Sequence, residues 1–335
     1  MSRPRLRPLL VREGARFACS GDGLCCTDAH LLGPVRAAER RALEARHPGS
    51  TTRTEGMVVL RAGPTGACGF LEAGGRCAIH HAPEKPRTCH RYPFLLVATP
   101  DGGRIGTDHR CPCRTMGARP VLDAATVEPS LRDARGRLES DRHVDADVPM
   151  ALGVHLDWVS YRAAEAVLLG RLQAGERVEA VLASPPMPPF EGGGWEDVGR
   201  DLAEDDRPMR WSRANQWAGD ALLGLHGHPV APGRPRPWSD AFDRAQARSP
   251  VPRDPEAMLA DWVADAIWTL EWAFRGPFTL ARAELSTRTA MARWIAARIE
   301  AEGARPDRSM AEALLVVELV GLSDPWADLW ARVRA

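Results

Sequence analysis

The sequence predicts an α+β protein. A small cysteine-rich metal-binding module with short β-hairpins, residues 1–147, precedes a mainly α-helical domain, residues 148–335. Three observations carry this. All eight cysteines fall between Cys19 and Cys113, and none follows. Among them stand glycine-rich turns flanked by short apolar runs, which is how hairpins read in sequence. All eleven tryptophans lie at or beyond Trp158, where apolar residues begin to recur every three or four positions.

The elements follow in order. Val11 to Ala18 predicts a short strand delivering Cys19 to the turn Gly21-Asp22-Gly23. Gly33-Pro34 opens a helix through Arg46, with proline near the first helical position, and His47-Pro48-Gly49 stops it. Met57 to Arg61 has strand character. Phe70-Leu71 and Cys77 to His80 flank Ala73-Gly74-Gly75, a tight hairpin turn. Leu95 to Thr99 and Arg104 to Thr107 flank Pro100-Asp101-Gly102-Gly103, a second hairpin. Most cysteines thus sit at a strand end or beside a turn, where backbone folds around an ion and the metal replaces a core too small to hold itself.

Beyond Val148 the pattern is helical. Trp158, Tyr161, Ala164, Leu168 and Leu172 share one face. Asp254-Pro255-Glu256 supplies an N-cap, a proline at the first helical position and an acid in the first turn. Met258, Leu259, Trp262, Val263, Ile267 and Leu270 make that helix's apolar face, and Gly276-Pro277 ends it. A helix runs from Ala281 to Glu300, Ser309 with Glu312 forms a capping box for Met310 to Leu322, and Asp324-Pro325 starts a last short helix. Ser184 to Gly194 and Gly227 to Pro255 are rich in proline and glycine and read as surface loops, with His226 and His228 solvated. The helical spacing around Trp158, Trp262 and Trp294 favours core packing over a ligand cage. Glu196-Asp197 and Glu204-Asp205-Asp206 read as solvated charged faces.

The formal charge is +0, so neither a nucleic-acid nor a membrane partner is expected. Lys85 is the single lysine, and the arginines are spread along the chain. Residues 1–16 offer no secretory apolar run, and the longest apolar stretch, Ala313 to Leu322, is broken by Glu318. A cytoplasmic protein is expected. In that reducing compartment clustered cysteines favour a metal over structural disulfides. The candidate metal ligands are Cys19, Cys25, Cys26, Cys68, Cys77, Cys89, Cys111 and Cys113. Four thiolates complete a Zn2+ site or a [4Fe-4S] iron-sulfur cluster, so eight serve two centres or one centre with spares. Spacing does not separate iron from zinc, although thiolate number tilts the reading slightly towards iron–sulfur. If extended, Cys25 and Cys26 point apart, to two centres or with only one ligating. His80, His81, His90 and His109 lie close enough in sequence to be ligands or supporting donors, but the bland alternative is preferred for each.

Three blocks carry a resemblance: Phe17-Ala-Cys19-Ser-Gly-Asp22-Gly-Leu-Cys25-Cys26; Cys68-Gly-Phe70-Leu71 with Gly75-Arg76-Cys77-Ala-Ile79-His80; and Lys85-Pro86-Arg87-Thr88-Cys89-His90-Arg91-Tyr92-Pro93-Phe94. Across about residues 17 to 113 the chain resembles the YkgJ-like cysteine-cluster (CxxCxxCC) family, described as zinc- or iron-chelating. It departs from the family in three places. Asp22 stands where the family's second cysteine belongs, Lys85 replaces an arginine, and His90 replaces the arginine after the third-block cysteine. Asp22 is either an oxygen ligand or a turn residue between two glycines, and the turn is preferred.

The expected function is therefore metal binding by the cysteines, with the helical domain offering contacts to a protein partner. The resemblance implies a second reading, an S-adenosylmethionine-dependent protein lysine N-methylase related to flagellin methylases. A third is a purely structural zinc scaffold. The chain shows no strand–GxGxG–helix unit, P-loop or G-x-S-x-G elbow, and Glu191-Gly-Gly-Gly194-Trp195 reads as a loop.

Overall fold

A computed structural model describes residues 4–27, 29–54, 56–186, 194–205, 212–228 and 235–334. It is a mixed α/β protein with small sheets and a helical C-terminal region. In the first part β1 (Leu9–Val11), α1 (Ala37–Arg46), β2 (Thr51–Thr54), β3 (Met57–Leu60), α2 (Arg87–Arg91), β4 (Phe94–Thr99), β5 (Gly102–Thr107), α3 (Pro112–Thr115), α4 (Ala124–Val127) and β6 (Arg142–His143) follow in order. A four-stranded sheet runs β1-β5-β4-β6, with β1 parallel to β5, β4 antiparallel to β5 and β6 parallel to β4. The β4–β5 hairpin is tighter than its sequence predicts. Thr99 pairs with Gly102, so Pro100-Asp101 alone make the turn and both glycines join the strand. Bare backbone is needed there because the segment before β1 presses against it. A Cβ on Gly102, whose φ is +151°, would stand 2.3 Å from the Pro8 carbonyl, and one on Gly103 would stand 2.6 Å from that of Leu6. The predicted strand from Val11 forms earlier, at Leu9, because its pairing partner is β5.

After a second hairpin, β7 (Val148–Ala151) with β8 (Val154–Leu156), come α5 (Trp158–Gln173), α6 (Val178–Leu182), α7 (Gly194–Ala203), α8 (Ser212–Leu225), α9 (Ser239–Ala247), α10 (Pro255–Thr269), α11 (Phe278–Ala301), α12 (Pro306–Gly321) and α13 (Asp324–Arg334). The Asp254 cap forms as predicted, its carboxylate accepting from the Ala257 amide at 3.0 Å. Other expectations are corrected. Helix α10 ends at Leu270, which adopts a left-handed φ of 47°, and Gly276-Pro277 instead closes the short 3-10 turn that follows. The Ser309–Glu312 capping box does not form, because α12 starts at Pro306. Ser309 Oγ bonds back to the Arg305 carbonyl at 3.2 Å, and Glu312 accepts from Trp238 Nε1 at 2.9 Å. The predicted loop after Gly227 contains α9, whose Ala241, Phe242 and Ala245 are buried. Within the two predicted loops, residues 187–193 and 229–234 lie outside the described residues.

The tryptophans pack as core. Trp195, Trp238 and Trp326 are fully buried, and two indole N–H groups donate to carboxylates: Trp262 Nε1 to Glu318 at 2.6 Å and Trp326 Nε1 to Glu284 at 3.0 Å. The largest core crosses residue 147, joining Leu24, Ala29, Val97 and Met116 to Trp262, Val263 and Leu314. Helix α10 makes that junction. Gly106 is bare where α10 arrives, since a Cβ there would meet Thr269 Cγ2 at 2.4 Å. Arg104, fully buried, donates to Glu165 at 2.6 Å and to the Trp268 carbonyl at 3.0 Å, with its guanidinium 4.8 Å from the Trp158 ring and 4.4 Å from that of Trp268.

A second buried charge system binds α10 to α3. Asp265 accepts from Arg12 Nε at 2.6 Å, Arg114 Nη2 at 3.0 Å and Thr107 Oγ1 at 2.9 Å, and its Oδ2 lies 2.8 Å from His109 Nε2. Asp261 accepts from Arg114 at 2.7 Å and Arg253 at 2.6 Å. Burial alone would raise both carboxyls. At Asp265 the charges of Arg12 and Arg114 outweigh it, and at Asp261 that of Arg114 does so first, so both titrate below the usual carboxylate range.

A depressed folded-state pKa gives stability that is present above the unfolded value of about 3.9 and lost as pH falls below it. Asp265→Asn is expected to cost about 3–5 kcal/mol at neutral pH, because it leaves buried guanidinium groups short of a counter-charge. Denaturant melts should show this, and the variant should lose less stability than the parent between about pH 4 and 2.

Candidate metal centre

Each cysteine is delivered by a short, hydrogen-bonded turn. Cys19 lies on the irregular segment entering Gly21-Asp22-Gly23, and Cys25 and Cys26 form a 3-10 turn with Leu24, whose side chain is fully buried. Asp22 shapes this turn, accepting from the Leu24 amide at 2.9 Å and from Ser20 Oγ at 3.1 Å. The Cys68 amide donates to the Cys26 carbonyl at 2.7 Å, so the second block is pinned to the first through backbone. Cys77 bridges Leu71 across the predicted Ala73-Gly74-Gly75 turn. The two glycine turns pack directly: a Cβ on Gly23, φ +82°, would lie 2.8 Å from the Gly75 carbonyl. Cys89 sits on α2, and Cys111 caps α3, which carries Cys113.

All eight thiols are free, and their contacts divide into two sets. Cys26 Sγ lies 3.9 Å from Cys25 Sγ and is coupled to Cys68 and Cys77, and half-buried Cys89 lies in the fields of Cys68, Cys25 and Cys77. The 3-10 turn, not an extended backbone, keeps Cys25 and Cys26 together. In the other set Cys113 is bonded by Cys111 and Cys19, lies 2.8 Å from Asp22 Oδ2, and accepts from the Ser20 amide at 3.1 Å. Cys25 acts on Cys19 and Cys111 by its charge.

The thiols titrate unequally. Hydrogen bonds from Cys111 and then Cys19 hold Cys113 well below the ordinary thiol range, while the same contacts raise Cys19 and Cys111. A hydrogen bond from Cys26 lowers Cys77 to about 6, and burial pushes Cys89 up to about 12. Burial, with the nearby Cys113, raises Asp22 to about 7.

As they stand, no group of three or more His, Cys, Asp or Glu among the described residues would hold a metal ion. The distances show why. Two sulfurs on one tetrahedral zinc are roughly 3.8 Å apart, given Zn–S bonds of about 2.3 Å. The 3.9 Å Cys25–Cys26 pair meets this, whereas the 2.8 Å Cys113–Asp22 contact has hydrogen-bond length. The donor chemistry is that of a thiophilic ion.

The histidines are placed elsewhere. His109 is committed to Asp265, His80 Nδ1 lies 3.3 Å from Lys85 Nζ, and the His80 and His81 rings stack edge-on at 4.5 Å. His90 is lowered by burial and by Lys85. His228, expected to be merely solvated, faces Glu196 at 3.2 Å. Of the acidic pairs, Glu196 and Asp197 do lie on a helix surface beside Arg200, but Asp205 is buried and accepts from Asn215 at 2.9 Å. Third-block arginines are structural: Arg87 pairs with Glu139 at 3.3 Å, and Arg91 donates to the Glu139 carbonyl at 2.8 Å.

No sequence motif signals the clamp over these turns. Arg244 on α9 donates to the Asp22 carbonyl at 2.7 Å, and Arg248 donates to Ser20 at 3.1 Å and Gly74 at 2.9 Å. Both lie in the stretch that reads as loop, and their partners are over two hundred or nearly two hundred positions away. A cleft of about 870 Å³, lined by Arg12, Arg162, Arg253, Asp261 and Trp268, lies on the other segment that Arg114 ties in through Asp261.

The chain matches no family model, no curated protein and no solved structure. No helix among the described residues is long and apolar enough to cross a membrane.

In metal-free, reduced protein, iodoacetamide should label Cys77 well ahead of Cys89 at pH 7, since the thiolate is the nucleophile. Mass spectrometry of timed samples should find Cys77 labelling slow only as pH drops through about 6. A rate still climbing above pH 8 would contradict the thiolate assignment.

Proposed function

We propose that this chain is a metal-binding cysteine-cluster protein whose ligands come from Cys19, Cys25, Cys26, Cys68, Cys77, Cys89, Cys111 and Cys113. The observation that carries the reading is the gathering of free thiols from separate turns, with Cys25 Sγ 3.9 Å from Cys26 Sγ, the Cys68 amide on the Cys26 carbonyl, and Cys113 Sγ held by Ser20 and Asp22 of the Cys19 turn. A structural alternative, thiols packed as small hydrophobes, accounts for Cys26 and Cys68, which join Leu43, Leu60 and Ile79 in a small apolar cluster, but not for exposed Cys19 and Cys25. Zn2+ or an iron-sulfur cluster would be held by these sulfurs and would cross-link turns otherwise joined by few apolar contacts, since the core around Cys26 and Cys68 is small. The protein's own contribution is to fix the turns, through the Cys68–Cys26 backbone bond and the arginines of α9.

Oxygen-free purification followed by elemental analysis and a visible spectrum tests this. Stoichiometric zinc, or iron with sulfide and a brown chromophore, is expected. Chelator treatment should lower the melting temperature by roughly 5 °C, as loss of about 3–4 kcal/mol of binding energy implies for a chain of this size. Protein without transition metal, melting identically with chelator, would overturn the proposal.

A further inference from the structure

We propose that the cleft between α5 and α10 binds an amphipathic organic anion, its carboxylate head at Arg253 and Arg12 and its apolar body along α5. The site involves none of the cysteines, and the inference does not rest on the metal-binding reading.

The cleft encloses about 870 Å³, within the range of small-molecule sites. Its floor carries a charge that the protein leaves unbalanced. Arg12, Arg114 and Arg253 converge on Asp261 and Asp265, so three guanidinium groups share two carboxylates. Asp307 accepts from the Arg253 amide at 3.3 Å, but its own charge is paired with Arg305 at 2.5 Å. His109, the other ionisable partner of Asp265, adds positive charge or none. One positive charge is left over, beside Arg12 and Asp261 that are both more than nine-tenths buried. Charge held away from water without a partner is unfavourable, and an anion in the cleft relieves it.

Arg253 is where this surplus meets solvent. Its side chain is 20% exposed. Nη2 donates to Asp261 at 2.6 Å and Nη1 to the Thr115 carbonyl at 3.2 Å, while Nε meets no acceptor among the described residues. A guanidinium fork matches a carboxylate in shape as well as charge. Acids also line the rim. Glu256 is paired with Arg293 at 2.7 Å, Glu176 accepts from Arg171 at 2.7 Å and Asp254 caps α10, while Glu13 is exposed, where water screens it.

The facing wall has the opposite character. Between Arg162 and Gln173, α5 offers Ala166, Leu169, Gly170 and Leu172 to the cleft, and α10 adds Ala257 and Ala260. None carries a polar side chain. A bare inorganic anion leaves this wall wet, and a neutral apolar ligand leaves the guanidinium charge unmet. An anion with an apolar body answers both.

Calorimetric titration of the full-length protein at low salt with octanoate, octylammonium and acetate tests this. Octanoate is expected to bind once per chain, octylammonium not at all, and acetate about 100-fold more weakly or worse, because each buried methylene contributes about a three- to fourfold gain. Arg253→Gln leaves two guanidinium groups facing two carboxylates. It should weaken octanoate by about 10- to 100-fold, as loss of a hydrogen bond to a charged group implies. Ala166→Glu, at an exposed helical position, should weaken octanoate by setting a carboxylate in the apolar wall. Circular dichroism of each variant checks folding, and if Arg253→Gln fails to fold, the head-group series and Ala166→Glu decide alone. Octylammonium or acetate binding as tightly as octanoate, unchanged affinity in either folded variant, or no octanoate binding would each overturn the inference. Metal content is untouched by any of these outcomes.

Discussion

The buried pairing of Arg114 with Asp261 and Asp265 is the interaction on which the arrangement turns. Arg114 follows Cys113 directly, and its guanidinium is fully buried between the two carboxylates of α10. Removing charges from water costs several kcal/mol per ion, recovered only when partners are close and their remaining hydrogen bonds are filled. Here Arg12, Arg253, Thr107 and His109 fill them. The position of α3 is therefore set by the helical region, and with it the sulfurs of Cys111 and Cys113. The cysteine-bearing turns do not fold around a metal alone. They are held by a scaffold whose geometry is fixed at α10.

The same dependence recurs at α9. Arg244 and Arg248 donate to main-chain carbonyls of the Cys19–Asp22 segment and of the Gly74 turn. These bonds tie the helical region to the main chain of both turns. The core that runs unbroken from Leu24 to Leu314 is the apolar counterpart of that connection.

What could be read from the chain follows the range of each signal. Local signals held: Asp254 caps α10, Trp158 to Leu172 line one helix, and Leu95 to Thr107 folds into a hairpin. Signals that depend on distant partners did not. Ser309 and Glu312 have the spacing of a capping box, yet Glu312 is taken by Trp238 from another helix. Proline and glycine around 227–255 hid α9, whose stability comes from burying Trp238 and Phe242. The cysteine blocks marked the candidate ligands, but their division into two sets depends on how β-bridges and α3 bring them together. Asp22 makes the turn preferred for it, with Oδ1 accepting from the Leu24 amide and Oδ2 from Ser20 Oγ beside Cys113.

The account depends on sulfur surrounding a bound metal. X-ray absorption at the metal edge, on protein prepared without oxygen, reports the ligating atoms directly. The prediction is a shell dominated by sulfur at about 2.3 Å. A shell of oxygen and nitrogen alone would contradict it.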